Sequence, residues 1–167
     1  MEVTSSGNDA RTNDLIVRII NGTRQSVQGQ SEKIIHFEVT DEADPYFLYM
    51  LDVGEQDCHT LKREQSILVE FSLFPSMFIE LLSHCASTNI NNNMDGEQKD
   101  APSFLARIDS STGNLSIIEV NNFKQITHIS IQLRPGNDAS IKAYLASRLS
   151  HMCSVARQVR READGLQ

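Results

Sequence analysis

Three cysteines and five histidines have the widest chemical reach in this sequence. They fall into suggestive pairs: Cys58–His59, His84–Cys85 and His151-x-Cys153. A thiolate beside an imidazole is the start of a nucleophilic site, and mixed Cys/His sets hold zinc. The spacing argues against both. Residues one or two apart on a helix point to different faces, and no CxxC, HExxH or carboxylate cluster with metal-ligand spacing accompanies the pairs. GxxxxGK[ST], GxGxxG and GxSxG are absent, so phosphate cradles and nucleophile elbows have no anchor either. His128 falls on the outer side of an alternating strand, where a surface histidine is a simpler reading than a base. The expectation is a chain with no catalytic residue, metal ligand, cofactor or small-molecule substrate.

A different residue stands out. In "VNNFKQITH" (residues 120–128) an apolar side chain, Phe123, is placed between two strand-like runs, "NLSIIEV" and "ITHISIQL". Asn121, Asn122 and Lys124 have turn chemistry, so the chain should reverse there, in water. Phe123 either curls back over its own sheet or stays free to grip another molecule. The residues alone leave both open.

The elements around this hairpin come from length and pattern. With 167 residues, 40% of them hydrophobic and 22% charged, the chain can hold one soluble domain, with or without an appendage. A formal charge of −7 argues against nonspecific nucleic-acid binding, which needs basic patches. No apolar run approaches a membrane span, and the polar start "MEVTSSGNDARTND" lacks the core of a signal peptide. An odd cysteine count without CxxC fits free thiols in a reducing, cytosolic compartment. The sequons "NGT" and "NLS" are then chance matches.

Residues 1–13 are polar and small and are expected to be disordered. The runs "DLIVRII" and "KIIHFEVT" read as a hairpin, and Pro45 releases a third strand at residues 47–53. "GEQDCHTLKREQ" is rich in helix formers. "SILVEFSLF" (residues 66–74) has the composition of a buried strand. Pro75 suits the first turn of the next helix, in which Phe78, Leu81, Leu82 and Cys85 recur on one face. Residues 88–102 have no periodicity and read as a loop. Strands "SFLARID", "NLSIIEV" and "ITHISIQL" follow, the last alternating Ile129, Ile131 and Leu133 with His128, Ser130 and Gln132.

After "RPGND" the pattern turns helical to the end, with Asn137 or Asp138 able to cap it. Ile141, Tyr144 and Leu145 suit packing back on the head. Leu145, Leu149, Met152, Ala156, Val159, Ala163 and Leu166 are spaced alternately four and three apart. That is a coiled-coil seam with Leu149, Ala156 and Ala163 at a positions and Met152, Val159 and Leu166 at d. It stops at Gln167 after fewer than three heptads, so a truncated stalk is expected. The organisation is a disordered segment 1–13, a globular head 14–137 and a helix 138–167 that starts the stalk.

Two blocks carry a family resemblance. "DPYFLYMLDVGEQDCHTLKREQSILVEFSLFPSMFIELLSHC" (residues 44–85) resembles the signature block in the head of spindle assembly abnormal protein six. There an acidic turn leads to an FFL strand, an acidic helix with an LK pair, an ILV-acidic-F strand and an FP start to the next helix. "VNNFKQITHISIQLRPGNDASIKAYLASRL" (residues 120–149) is similar to its NxFKxLxH hairpin and PGND turn. The likeness runs in order over residues 14–150. Each motif is modest; the ordered set is specific.

The resemblance implies an α+β fold. Its head is a β-sandwich or barrel with a helix-turn-helix insertion, a fold shared with DNA-end-joining scaffold proteins, followed by a parallel coiled coil. It also implies a structural role at the centriole, basal body and centrosome, in the cytoplasm and cytoskeleton. The hairpin Asn122–Phe123–Lys124 would dock into a hydrophobic pocket of a second head, and coiled-coil pairing would complete a ninefold ring. The partners would be further copies of the chain and other centriole assembly proteins. The family's long stalk and tail have no counterpart in these 167 residues. A head-only paralogue, or a heterotypic adaptor of the same fold in a protist cytoskeletal apparatus, is the alternative.

Overall fold

The structure, a computed structural model, describes residues 2–4, 11–12, 14–91 and 102–165. Two sheets form the head. One has the order β3-β4-β5-β9, from Leu15–Gln25 (β3), Ser31–Asp41 (β4), Leu48–Gly54 (β5) and Arg134–Pro135 (β9). The other has the order β2-β1-β6-β7-β8, from Arg11–Thr12 (β2), Glu2–Thr4 (β1), Ser103–Asp109 (β6), Asn114–Val120 (β7) and Gln125–Gln132 (β8). Helices α1 (Glu55–Gln65) and α2 (Phe74–Asn91) are inserted between β5 and β6, and α3 (Asp138–Asp164) ends the described chain. This is the expected mixed α+β head with a helical insertion and a long C-terminal helix.

Alternation in the strands builds the core. Ile35, Phe37 and Val39 of β4 turn inward to meet Leu115 and Ile117 of β7 and Ile129 and Ile131 of β8, all in one buried cluster. Helix α2 closes the cluster with Phe74 and Phe78. Their rings meet Phe37 edge-on at centroid distances of 6.3 and 5.1 Å, the geometry favoured by the ring quadrupole.

Three local expectations are corrected. Residues 66–74 are not a strand: the chain is irregular to residue 73, and Phe74 opens α2. The alternation is real, since Ile67, Val69 and Phe71 pack on the core while Leu68 is 91% exposed. A strand also needs a ladder, however, and the segment forms none with the edge strand β8, where the Gln65 side chain takes both backbone groups of Ser130. Second, α2 continues through Asn91, into the stretch read as a loop; residues 92–101 of that stretch lie outside the described residues. Third, the N-terminal stretch contributes two short strands. Glu2–Thr4 pairs in parallel with β6 and antiparallel with Arg11–Thr12. Strands this short leave no periodicity to read, and the open edge of β6 supplies the pairing. The "RP" of the expected turn likewise pairs with β5, Tyr49 opposite Pro135. Proline's missing donor is tolerated there because β9 is an edge strand.

Candidate functional site

Strands β7 and β8 aim the hairpin. Asn121 organises the tip: its Oδ1 accepts from the backbone N–H groups of Phe123 and Lys124, each at 2.9 Å. Its own N–H donates to Lys124 O at 3.2 Å. An Asx turn of this kind fixes the backbone locally. Phe123 is left 92% exposed, so it does not curl back over its own sheet. Asn122 and Lys124 flank it in solvent.

On the same edge of the sheet lies an apolar pocket of about 160 Å³. Ile67 and Val69 form one wall, Phe74, Met77 and Leu81 of α2 the floor, and Ile129 of β8 the other wall. Ser66 caps the C-terminus of α1 with a left-handed φ of 55°, and the N–H groups of Ser66 and Ile67 both reach Lys62 O. That turn throws Ile67 toward β8. Lys62 also holds Glu70 at 2.9 Å, and the hydrogen bond from its ammonium group lowers the Glu70 pKa. No sequence motif marks the pocket. Its one signal was the alternating run at residues 66–74, which marks a half-buried segment as well as a strand.

His128 also lines this pocket. It sits where the β7–β8 register slips, since Ile117 faces Ile129 while Ile118 faces Thr127. The extra residue turns the imidazole onto Phe104, stacked at 5.5 Å, with Nε2 2.7 Å from Glu119 Oε2. His84 packs on Phe104 at 5.3 Å. His128 is therefore a half-buried, partnered wall residue, not a free surface side chain.

The other expected surface is on α3. Asn137 caps the helix, its Oδ1 accepting the Ser140 N–H at 2.8 Å. Ile141, Tyr144, Leu145 and Arg148 are half-buried beside the head, and Arg148 reaches Glu42 at 3.4 Å. From Leu149 on, every described residue is exposed. Leu149 is 64%, Met152 61% and Val159 59% exposed; Ala156 lies between Met152 and Val159, Ala163 follows, and both are exposed. Leu166 falls outside the described residues. The seam thus has an unpartnered section beyond Leu149 and a first member, Leu145, already half covered by the head.

The thiol–imidazole pairs do not assemble into a site. Cys58 and Cys85 are buried, Cys153 is exposed, and among the described residues no three His, Cys, Asp or Glu side chains come together as a metal site. Burial pushes the Cys85 thiol up to about 11 and raises Cys58 in the same direction. Neither is a thiolate at neutral pH.

The class is that of a two-sheet head that presents an exposed aromatic side chain on a hydrogen-bonded turn and carries a long C-terminal helix whose far turns are exposed. The model of the N-terminal domain of centriolar SAS proteins matches residues 1–133, and the chain belongs to that family. It is 40% identical over 122 residues to the spindle assembly abnormal protein 6 homolog of Gallus gallus, covering 69% of this chain and 18% of that protein. With the Xenopus laevis homolog it shares 36% over 151 residues, 86% of this chain and 21% of that one. The chain therefore spans only about a fifth of the length of these curated relatives. Among solved structures, an N-terminal fragment of Leishmania SAS-6 containing parts of its coiled coil matches with a TM-score of 0.79 and 25% identity, over 99% of this chain and 87% of that one. The N-terminal coiled-coil dimer of C. elegans SAS-6 is alike in fold, with a TM-score of 0.60 at 17% identity over 99% and 92% of the two chains.

Proposed function

We propose that this chain is the self-assembling head of a structural protein of the centriole or basal-body cartwheel. Phe123 of one head enters the pocket between α2 and β8 of another, and α3 pairs in parallel with a second stalk. The observation that carries the reading is the pairing of a 92% exposed Phe123 on a fixed turn with an apolar pocket of about 160 Å³ on the same sheet edge. A cavity of about 150 Å³ lined by aliphatic side chains accepts benzene, so a phenyl ring fits. Phe123 cannot fill its own pocket. It precedes β8 and stands five residues from His128, roughly 17 Å at strand rise, with its ring 92% exposed.

Tip and pocket on one surface make the contact self-complementary, each head giving a ring and receiving one. Burying a Phe stabilises by about 1.5–3 kcal/mol, so two contribute roughly 3–6 kcal/mol against several kcal/mol of association cost. The head contact is weak, on the order of micromolar to millimolar. Weakness suits assembly, because a ring that closes makes its last contact intramolecular while wrongly sized arcs fall apart. The partners are copies of this chain and other centriole assembly proteins, and the site is the centriole in the cytoplasm. The exposed seam beyond Leu149 favours this reading over a head-only paralogue or an adaptor.

Sedimentation equilibrium of Phe123→Glu, with far-UV circular dichroism, tests the reading. Head dimers disappear and the spectrum stays unchanged. Undiminished dimerisation, or loss of the fold, refutes the role given to Phe123.

A further inference from the structure

We infer that Gln65 is the positioning residue of the pocket: its side-chain amide ties the α1–α2 connection to β8 and so sets the width of the opening that Phe123 must enter. The inference rests on the head-to-head reading above. Gln65 is the last residue of α1. Its Nε2 donates to Ser130 O at 2.6 Å, and its Oε1 accepts the Ser130 N–H at 2.7 Å. A primary amide carries one donor side and one acceptor side, the same pair a residue of a neighbouring strand would offer. Only one orientation of the amide satisfies both groups of Ser130.

The placement gives this pair its consequence. Ser130 follows His128 and Ile129, which line one wall of the pocket, and Gln65 precedes Ser66, Ile67 and Val69, which line the other. The connection forms no ladder with β8, so the Gln65 amide stands where strand pairing would otherwise join the two walls. Ser130 is itself held from the far side. Its Oγ donates to Asn114 Oδ1 at 2.7 Å and accepts from Ser116 Oγ at 3.2 Å, both on β7. The anchor is therefore fixed to the sheet, and the movable partner is the connection. The left-handed Ser66 belongs to the same device, because it turns the chain immediately after Gln65 and sends Ile67 back toward β8. Asparagine is one methylene too short to span this gap from the same backbone position, and glutamate keeps the acceptor while lacking the donor.

Substitution separates this role from general stability because a self-complementary contact has two halves, tip and pocket. All chains carry Leu149→Glu to silence the seam. Gln65→Met keeps the volume and removes both hydrogen bonds. Its self-association, followed by sedimentation equilibrium, weakens at least about tenfold, as expected when two hydrogen bonds holding the site are lost. The second arm titrates isotopically labelled chain with unlabelled Phe123→Glu chain and reads amide shifts by NMR. Phe123→Glu offers an intact pocket and no tip. Labelled Gln65→Met therefore binds it as well as the labelled chain with Gln65 intact does, because its own tip is unaltered. Gln65→Glu, which keeps one of the two bonds, falls between Gln65→Met and the unsubstituted chain in self-association. The inference is overturned if Gln65→Met self-associates like the unsubstituted chain, or if it binds Phe123→Glu more weakly than that chain does, since the tip or the whole fold has then changed. A Phe123→Glu chain that self-associates undiminished is a separate result, and refutes the docking reading instead.

Discussion

Phe123 and Cys153 are both exposed, and each gives a residue-scale expectation. Cys153 reacts with a thiol reagent in the folded protein at neutral pH, while Cys58 and Cys85 react only on unfolding. Counting modified thiols by mass spectrometry before and after denaturant checks this; three fast thiols in the native state would contradict the burial. The same burial predicts an alkaline limit. The Cys85 thiol rises from its ordinary 9.0 to about 11. A group whose pKa is raised in the folded state contributes stability that is complete below its unfolded pKa and lost as pH climbs to the folded one. Denaturant midpoints should therefore fall between pH 9 and about 11, with Cys58 and the burial-raised Tyr49 acting in the same direction. At the hairpin, Asn121→Ala removes the acceptor shared by the Phe123 and Lys124 N–H groups. The ring is retained but no longer pre-positioned, so head affinity falls while far-UV circular dichroism is unchanged.

At the scale of elements, α3 is two things in sequence. Its first turns are a head element, held by the Asn137 cap and by Ile141, Tyr144 and Leu145. Its remaining turns, within a helix about 40 Å long at 1.5 Å per residue, have no head to cover them. Ala156 and Ala163, at the proposed a positions, offer little area, so this stalk should pair poorly at the present length. Ala156→Leu adds roughly 2 kcal/mol of burial per chain once paired and should convert weak stalk pairing into a dimer that survives Phe123→Glu. Sedimentation equilibrium decides it, and a monomeric Ala156→Leu/Phe123→Glu chain would show that the seam is misassigned. Ser66 makes a second element-scale case. A non-glycine residue at φ 55° stores about 1 kcal/mol of backbone strain, so Ser66→Gly should leave the thermal midpoint unchanged or raised.

At the scale of the whole molecule, the proposed assembly depends on the angle between a head dyad and a stalk dyad, which the head–stalk junction would set. Arg134 and Pro135 pair with β5, Gly136 N–H donates to Leu48 O at 2.8 Å, and Asn137 caps α3 at once. A methyl group at Gly136 would stand 2.9 Å from the Leu48 side chain, so the backbone has little room to relax. Gly136 and Asn137, the two residues between β9 and α3, are thus both hydrogen-bonded. Ninefold closure needs about 20° between neighbouring dyads. A version of the chain with a longer stalk should form rings or uniform arcs by electron microscopy, and Phe123→Glu should reduce them to two-headed rods. A Gly/Ser spacer after Asp138 should keep both interfaces yet scatter the curvature. Uniform rings with the spacer in place would locate curvature control outside this junction.

Much of this was legible in the sequence because it depends on local pattern. The run "NLSIIEV" gave β7 to the residue, and the four-three spacing from Leu145 marked the helix. The polar frame around Phe123 marked an aromatic left in water. The sequence also suggested a strand at residues 66–74, with the right alternation for one. Alternation records which side chains are half-buried; it does not record whether a neighbouring backbone is free to pair. Here the neighbour is the edge strand β8, and the Gln65 side chain stands in for a ladder by taking both backbone groups of Ser130. The short β1 and β2 were hidden for the converse reason, since their pairing comes from the edge of β6 and not from any pattern of their own. The pocket, too, belongs to tertiary structure alone. Its walls come from residues about sixty apart in the chain, Ile67 and Ile129, and only packing brings such residues within contact distance of each other.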